Sequence, residues 1–156
     1  FDENDARATG RVSMGVKGMN LADGDSVIGM QVAEENGELL FVSEMGMGKK
    51  TAMSEFKDQN RGGKGIRCYR VNAKTGNLAG VKVYKEGYEL MLITTEGTVI
   101  RMKTDTIPVL GRDTSGVKLM QVDQENVKVS SIELIEESKE EEFAETSEET
   151  VGSKEV

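Results

Sequence analysis

The chain has 156 residues, 28 of them acidic and 20 basic, which gives a formal net charge of −8. No apolar run approaches the roughly 18 residues that a membrane-spanning helix needs, so the sequence predicts no membrane partner. Histidine is absent, which removes the Ser-His and Cys-His nucleophile pairs and the commonest metal ligand. The single cysteine, Cys68, and the lack of a visible secretory signal favour a reducing, cytoplasmic compartment.

Three kinds of segment recur along the chain with a period near fifty residues. They are a glycine-lysine turn at 15–19, 62–66 and 116–120, an apolar segment at 26–32, 77–83 and 126–132, and a strand with its turn at 39–46 and 90–97. Short apolar or alternating runs followed by Gly-bearing turns are typical of β-hairpins. A period of this length with several strands per unit predicts an all-β, propeller-like array.

The repeats also suggest how the chain is divided. Two complete units are expected at about 10–61 and 62–114, followed by a partial unit at 115–132. Since a closed propeller needs about four or more blades, the chain alone does not close a ring. It begins with Phe1 rather than Met. We therefore interpret it as the C-terminal part of a longer array.

Charge is distributed very unevenly. Residues 133–156 contain ten Glu and two Lys, a net charge of −8, so residues 1–132 are neutral overall. The segment 133–156 has too few apolar residues to offset its ordering entropy, and we predict a disordered acidic tail. Within the neutral body, residues 49–74 contain eight bases and two acids. Such a local basic stretch can bind phosphates whatever the total charge.

One motif narrows the function. The segment 59–66 reads Gln-Asn-Arg-Gly-Gly-Lys-Gly-Ile, in which adjacent glycines let the backbone approach a large anion and Arg61 and Lys64 flank the turn. This segment resembles the Q-R-R-G-G-K-G box of the DNA gyrase A protein family, from which it departs at Asn60. The repeat over 1–135, the segment 111–117 and the Glu-rich end resemble the C-terminal domain of the same family.

The resemblance implies a β-pinwheel whose basic rim wraps duplex DNA, without catalytic residues of its own. It also implies a heterotetramer with gyrase B and the rest of gyrase A, and ATP and magnesium used elsewhere in that holoenzyme. In this family the box belongs to the first blade, so the true box and the cleavage tyrosine would lie upstream of Phe1. The turn at 59–65 is then the equivalent turn of a late blade.

We expect the DNA-binding rim to combine exposed bases with the glycines of the box-like turn. The candidates are Lys17, Lys49, Lys50, Arg61, Gly62, Gly63, Lys64, Gly65, Arg67, Arg101, Lys103, Arg112 and Lys118. No metal site, catalytic residue or cofactor is predicted for this chain.

Two other interpretations stay open. The chain could be the corresponding DNA-binding domain of topoisomerase IV, which binds DNA without strong wrapping. Alternatively, its net charge of −8 would suit a propeller-type scaffold for protein interactions with no nucleic-acid role. An independent enzyme is disfavoured, because no acid–base cluster stands out.

Overall fold

The computed structural model describes residues 1–122 and 126–137. Its strands are β1 Glu38–Ser43, β2 Met47–Ala52, β3 Leu78–Val83, β4 Tyr88–Thr94, β5 Val99–Lys103, β6 Val117–Lys118 and β7 Val129–Glu136. Within these two ranges the only helical elements are single 3₁₀ turns at Glu3–Asp5, Met53–Glu55 and Thr104–Thr106. The predicted all-β class is confirmed.

Two tight hairpins form the framework, and both were predicted from their glycine turns. In the first, β1 and β2 pair antiparallel, and Gly46 closes the turn with a φ of 74°. In the second, β4 and β5 pair antiparallel, and Gly97 has a φ of 82°. A positive φ is cheap only for glycine, which explains why these positions carry it.

Each hairpin gains a third strand from the chain that follows it. Strand β3 pairs with β1, and β7 pairs with β4, so the two sheets have the orders β3-β1-β2-β6 and β5-β4-β7. Strand β6 returns to the first sheet and pairs with β2. The segments 77–83 and 126–132, matched in the sequence, therefore take the same place in successive sheets.

The pairing register repeats as well as the strand order. Ser43 pairs with Leu78 after a register shift that follows Val42. Thr94 pairs with Val129 after a shift that follows Ile93. Both partners of the pair thus move by 51 residues from one sheet to the next. Because the β-bulge occurs at the same place in both sheets, the backbone conformation repeats as well as the amino-acid pattern.

One core joins the two sheets. It consists of the buried side chains Leu40, Val42, Leu90, Leu92, Ile107, Val129 and Ile132. The sheets approach closely at Gly80, where a Cβ atom would lie 2.6 Å from Cγ1 of Ile132. Ion pairs between Lys82 and Glu133, at 2.6 Å, and between Lys128 and Glu44, at 3.3 Å, join residues of the two repeats outside the core.

The first copy of the apolar segment, 26–32, differs from expectation because it forms no strand. Its side chains Val27, Met30 and Val32 are exposed. Strands β3 and β7 each pair with the hairpin that precedes them, whereas the described residues before 26 contain no strand. The segment instead lies against β3, where the Gln31 side-chain oxygen accepts a hydrogen bond from the Val83 amide at 3.2 Å.

The predicted acidic tail is shorter than the sequence indicated. Residues 133–136 belong to β7 and pair with β4, Leu134 opposite Leu90 and Glu136 opposite Tyr88. Glu133 is therefore part of the folded body. The rest of the predicted tail, 138–156, lies outside the described residues. The unit boundaries at 10–61, 62–114 and 115–132 stay predictions.

Candidate functional site

Three glycine-lysine turns, 15–18, 62–65 and 116–119, each begin with a glycine in the left-handed backbone conformation. Their first residues Gly15, Gly62 and Gly116 have φ angles of 75°, 77° and 75°. Two positions later each turn carries a lysine, and Lys17, Lys64 and Lys118 are all exposed. The sequence match is therefore accompanied by a common conformation at the first glycine, and each turn presents one exposed ammonium group.

The first two turns are joined directly. The Gly62 amide donates to the Gly18 carbonyl at 2.8 Å, and the Asn20 amide donates to the Gly63 carbonyl at 2.9 Å. The Arg61 guanidinium donates to the Lys17 carbonyl at 2.9 Å and to the Asp5 carbonyl at 3.0 Å. Arg61 thus ties the turns together with neutral acceptors and keeps its full charge at the surface.

The glycines of the box-like turn have different conformations. Gly62 and Gly65 have φ angles of 77° and 73°, whereas Gly63 is not at positive φ. A Cβ atom at Gly63 would lie 3.2 Å from the Asn60 carbonyl oxygen. At Gly62 and Gly65 it is therefore the backbone conformation that favours glycine. At Gly63 the constraint is close approach.

The third turn is attached to the segment 67–72. The Arg70 amide donates to the Thr114 carbonyl at 3.0 Å, and the Tyr69 hydroxyl donates to the Ser115 carbonyl. Two residues beyond Gly116, Lys118 lies in β6 opposite Met47. The long connection between β2 and β3 is thereby held beside the third turn.

This attachment gathers an arginine cluster, defined as Arg67, Arg70 and Arg112. Asp113 lies among them, 3.5 Å from Arg67 and 3.3 Å from Arg70. The Arg112 guanidinium donates to the Arg67 carbonyl at 2.6 Å. The hydrogen bond from Arg70 lowers the pKa of Asp113, which stays ionised at neutral pH. The three guanidinium groups and the Asp113 carboxylate sum to +2, and the Glu55 carboxylate, which accepts a hydrogen bond from the Arg112 amide at 2.6 Å, lowers the local sum to +1.

Arg70 was not among the predicted site residues. It belongs to the basic stretch 49–74, and that stretch was the only sequence signal for it. Lys64 and Arg67 are three residues apart, so their Cα atoms lie within about 11 Å of each other. The joined turns and the arginine cluster are therefore close along the chain, and we call their basic residues, together with Lys118 of the third turn, the basic surface: Lys17, Arg61, Lys64, Arg67, Arg70, Arg112 and Lys118.

Lys49 and Lys50 were expected to be exposed, and that expectation is wrong. Lys49 is 0% exposed and Lys50 is 6% exposed, although both lie in the basic stretch. The chain after Pro108 runs alongside β2, and the Leu110 amide donates to the Lys50 carbonyl at 2.8 Å. Lys50 forms an ion pair with Glu38 at 3.5 Å. A phosphate has no direct access to either ammonium group.

Arg101 and Lys103 are exposed, as expected, but both are paired with carboxylates. Arg101 binds Glu89 on the neighbouring strand, with one nitrogen–oxygen distance of 3.0 Å. Lys103 lies 3.0 Å from Glu137, and this partner raises the pKa of Lys103. The local charge of β5 is therefore compensated. A contact of these two residues with DNA stays a prediction.

Across residues 1–122 and 126–137, no group of three or more Cys, Asp or Glu side chains is arranged to hold a metal ion. In the same residues no helix is long and apolar enough to cross a membrane. The candidate site in the described part of the chain is therefore the basic surface.

Fold and surface together define a β-propeller-like repeat protein with a basic surface at its glycine-lysine turns. A family model described as the DNA gyrase C-terminal domain, a β-propeller, matches residues 1–34, 37–85 and 88–136. The chain is 43% identical over 133 residues to the DNA gyrase A protein of Ureaplasma parvum serovar 3, covering 85% of this chain and 16% of that protein. The chain belongs to the DNA gyrase C-terminal domain family.

Solved structures agree with this assignment. A structure of a DNA gyrase A C-terminal domain superposes with a TM-score of 0.75 at 30% identity, over 83% of this chain and 44% of that one. A DNA topoisomerase IV C-terminal domain superposes with a TM-score of 0.77 at 24% identity, over 86% and 42%. The second likeness concerns the fold alone. The chain spans about a sixth of the curated relative's length.

Proposed function

We propose that this chain is a DNA-binding and DNA-wrapping module of a DNA gyrase A protein. The observation that carries the proposal is the basic surface, in which three turns that begin with a left-handed glycine each present an exposed lysine, and the third turn adjoins the arginine cluster. Membership of the gyrase C-terminal domain family supports the same conclusion.

The chemistry of the basic surface suits the phosphate backbone rather than the bases. Lysine and arginine side chains on turns give point charges and planar donors that bind phosphate oxygens without reading sequence. The glycine-lysine turns recur from repeat to repeat, so successive blades carry equivalent cations along the path of a duplex. DNA that follows such a curved edge is bent by contacts to its backbone.

In the complete enzyme this module has a topological role. By wrapping DNA, it sets the sign of the crossing presented to the cleavage core, and ATP-driven strand passage then changes the supercoiling in one direction. The partners are duplex DNA, gyrase B and the remainder of gyrase A. Strand cleavage, ATP hydrolysis and magnesium binding belong to other parts of that assembly.

Two experiments test this function. A labelled duplex of arbitrary sequence is titrated with the chain at low salt, and we expect saturable binding that an unrelated duplex competes away. A closed circular plasmid is then relaxed in the presence of the chain, and we expect a shift in linking number if the DNA is wrapped. Binding without a shift would favour the topoisomerase IV type. No binding to either duplex would favour a protein scaffold.

A further inference from the structure

We propose that Lys49 is a positioning residue for DNA binding, because its buried ammonium group holds the loop that carries Arg112 and Asp113. The inference rests on the proposed function and adds to it a residue that does not touch DNA. Its basis is the set of contacts that the Lys49 side chain makes in the interior.

The surroundings of Lys49 are unusual for a lysine. Its side chain is 0% exposed, and it forms no ion pair with any carboxylate of the described residues. Its Nζ atom donates instead to the carbonyl oxygens of Gly111 at 2.8 Å and Arg112 at 2.6 Å. The rings of Phe41 and Tyr69 lie 5.8 Å and 5.2 Å from Nζ. Two carbonyls and two aromatic faces thus replace water around the cation.

Burying the Lys49 ammonium group costs free energy, and the strand does not need a charged side chain at this position. Desolvation lowers the pKa of Lys49, so the charged form is less favoured there than in water. The matching position in the second hairpin, 51 residues later, is Ile100, which packs against the core. An apolar side chain therefore serves the same strand position in the other sheet. A lysine is needed only to bind the loop at 111–112.

That loop precedes the third turn and carries Arg112 and Asp113 of the arginine cluster. Lys49 holds the carbonyls of residues 111 and 112, and the Glu55 carboxylate accepts a hydrogen bond from the Arg112 amide at 2.6 Å. The peptide groups on both sides of Arg112 are thereby fixed. Since Asp113 follows directly and pairs with Arg67 and Arg70, the same contacts set the relative placement of the whole cluster.

The test is a double-mutant cycle on duplex DNA binding by the full chain. Lys49→Met keeps the aliphatic stem and removes the ammonium group, and we expect an affinity loss of about tenfold. In an Arg112→Ala background the same substitution should cost less, because the part of the effect that acts through Arg112 is already gone and only the part that acts through Asp113 on Arg67 and Arg70 remains. A merely structural effect would be equal in both backgrounds.

Lys50→Met is the matched control. Lys50 is the next residue of β2 and is almost as buried, but its ammonium group contacts Glu38 and the Tyr84 ring rather than the loop. We expect it to lower stability and to leave the affinity of the folded protein unchanged. Amide exchange at residues 111–116 should accelerate in Lys49→Met and not in Lys50→Met, even without DNA. If Lys49→Met does not fold, Lys49→Gln, which keeps one donor for the carbonyls, enters the same cycle.

The outcomes separate the two proposals. Wild-type affinity in Lys49→Met, with binding weakened in Arg112→Ala, would overturn the positioning role and leave the proposed function intact. Equal losses from Lys49→Met in both backgrounds would also overturn it. A wild-type chain that does not bind duplex DNA at low salt would contradict the proposed function and with it this inference.

Discussion

The absence of a Cβ atom at Gly116 allows the third turn to pack against β2. Its φ is 75°, and a Cβ atom there would overlap the Gly48 carbonyl oxygen in β2. Gly97 has a similar φ of 82° but would point a Cβ atom into open space. The two glycines thus share the conformational constraint and differ only in the clash.

The first prediction compares alanine at these two positions. Gly97→Ala should cost about 1–2 kcal/mol of unfolding free energy, the ordinary cost of a side chain at positive φ. Gly116→Ala should cost distinctly more, because β6 must also move away from β2. Urea denaturation of both variants measures the difference. Equal costs would mean that β6 does not approach β2 as closely as described.

A second prediction concerns the carboxylate in the arginine cluster. Asp113 is ionised at neutral pH, since its pKa is lowered by Arg70, and its charge opposes phosphate binding. Asp113→Asn removes that charge and keeps the side-chain shape, so duplex DNA should bind more tightly. An affinity measured at low salt that is unchanged or weaker would show that Asp113 serves mainly to order Arg67 and Arg70.

At the residue scale the sequence shows where the basic residues are, but it does not show which of their side chains a phosphate can reach. The lysines of the three turns are exposed, and each lies two residues after a glycine at positive φ. Lys49 and Lys50 lie in the same basic stretch, yet segment 108–112, about sixty residues further along the chain, covers them. No local pattern carries that contact, since it depends on the tertiary fold.

At the scale of elements, the repeat was readable because both the apolar pattern and the glycine turns recur. The sequence matched the segments that form β3 and β7 and predicted both hairpins. In the structure the β1–β3 and β4–β7 pairs have the same register and the same bulge. The segment 26–32 has the same pattern and forms no strand. A strand needs a partner as well as a propensity, and the partner is a matter of topology.

The third prediction addresses the contact between the two sheets. A Cβ atom at Gly80 would lie 2.6 Å from Cγ1 of Ile132, so Gly80→Ala should cost about 1–3 kcal/mol through overpacking. Ile132→Ala should cost about 2–5 kcal/mol through the cavity it leaves. In the double variant the new methyl group enters the space left by Ile132, so the combined cost should be less than the sum. Strict additivity in denaturation experiments would contradict this packing.

At the scale of the whole molecule, charge is separated along the chain. The described body carries the basic surface, whereas residues 138–156 contain seven Glu and two Lys. Two interpretations of the acidic end follow from the sequence: it keeps the protein soluble, or it competes with DNA for the basic surface, and the second is the hypothesis tested below. A tethered segment acts at a high effective concentration, and salt weakens its effect because screening lengths are about 8 Å at physiological ionic strength.

The fourth prediction tests this competition by removing residues 138–156. The cut falls after Glu137, because β7 extends to Glu136 and truncation at 132 would remove half of that strand. Duplex DNA should bind more tightly to the shortened chain at low salt, with the difference fading as salt rises. The melting temperature should be unchanged. Equal affinities at every salt concentration would reduce the segment to a solubility device.

The most direct test of the account is the salt dependence of duplex binding in a variant of the basic surface. Because contacts to phosphates release counterions, Lys64→Ala/Arg70→Ala should reduce the slope of log K against log salt by about 1.8, or about 0.9 for each contact. Lys85→Ala, an exposed lysine between β3 and β4, is the control and should keep the wild-type slope. Parallel slopes for the wild type and the double variant would show that DNA binds elsewhere and would contradict the account.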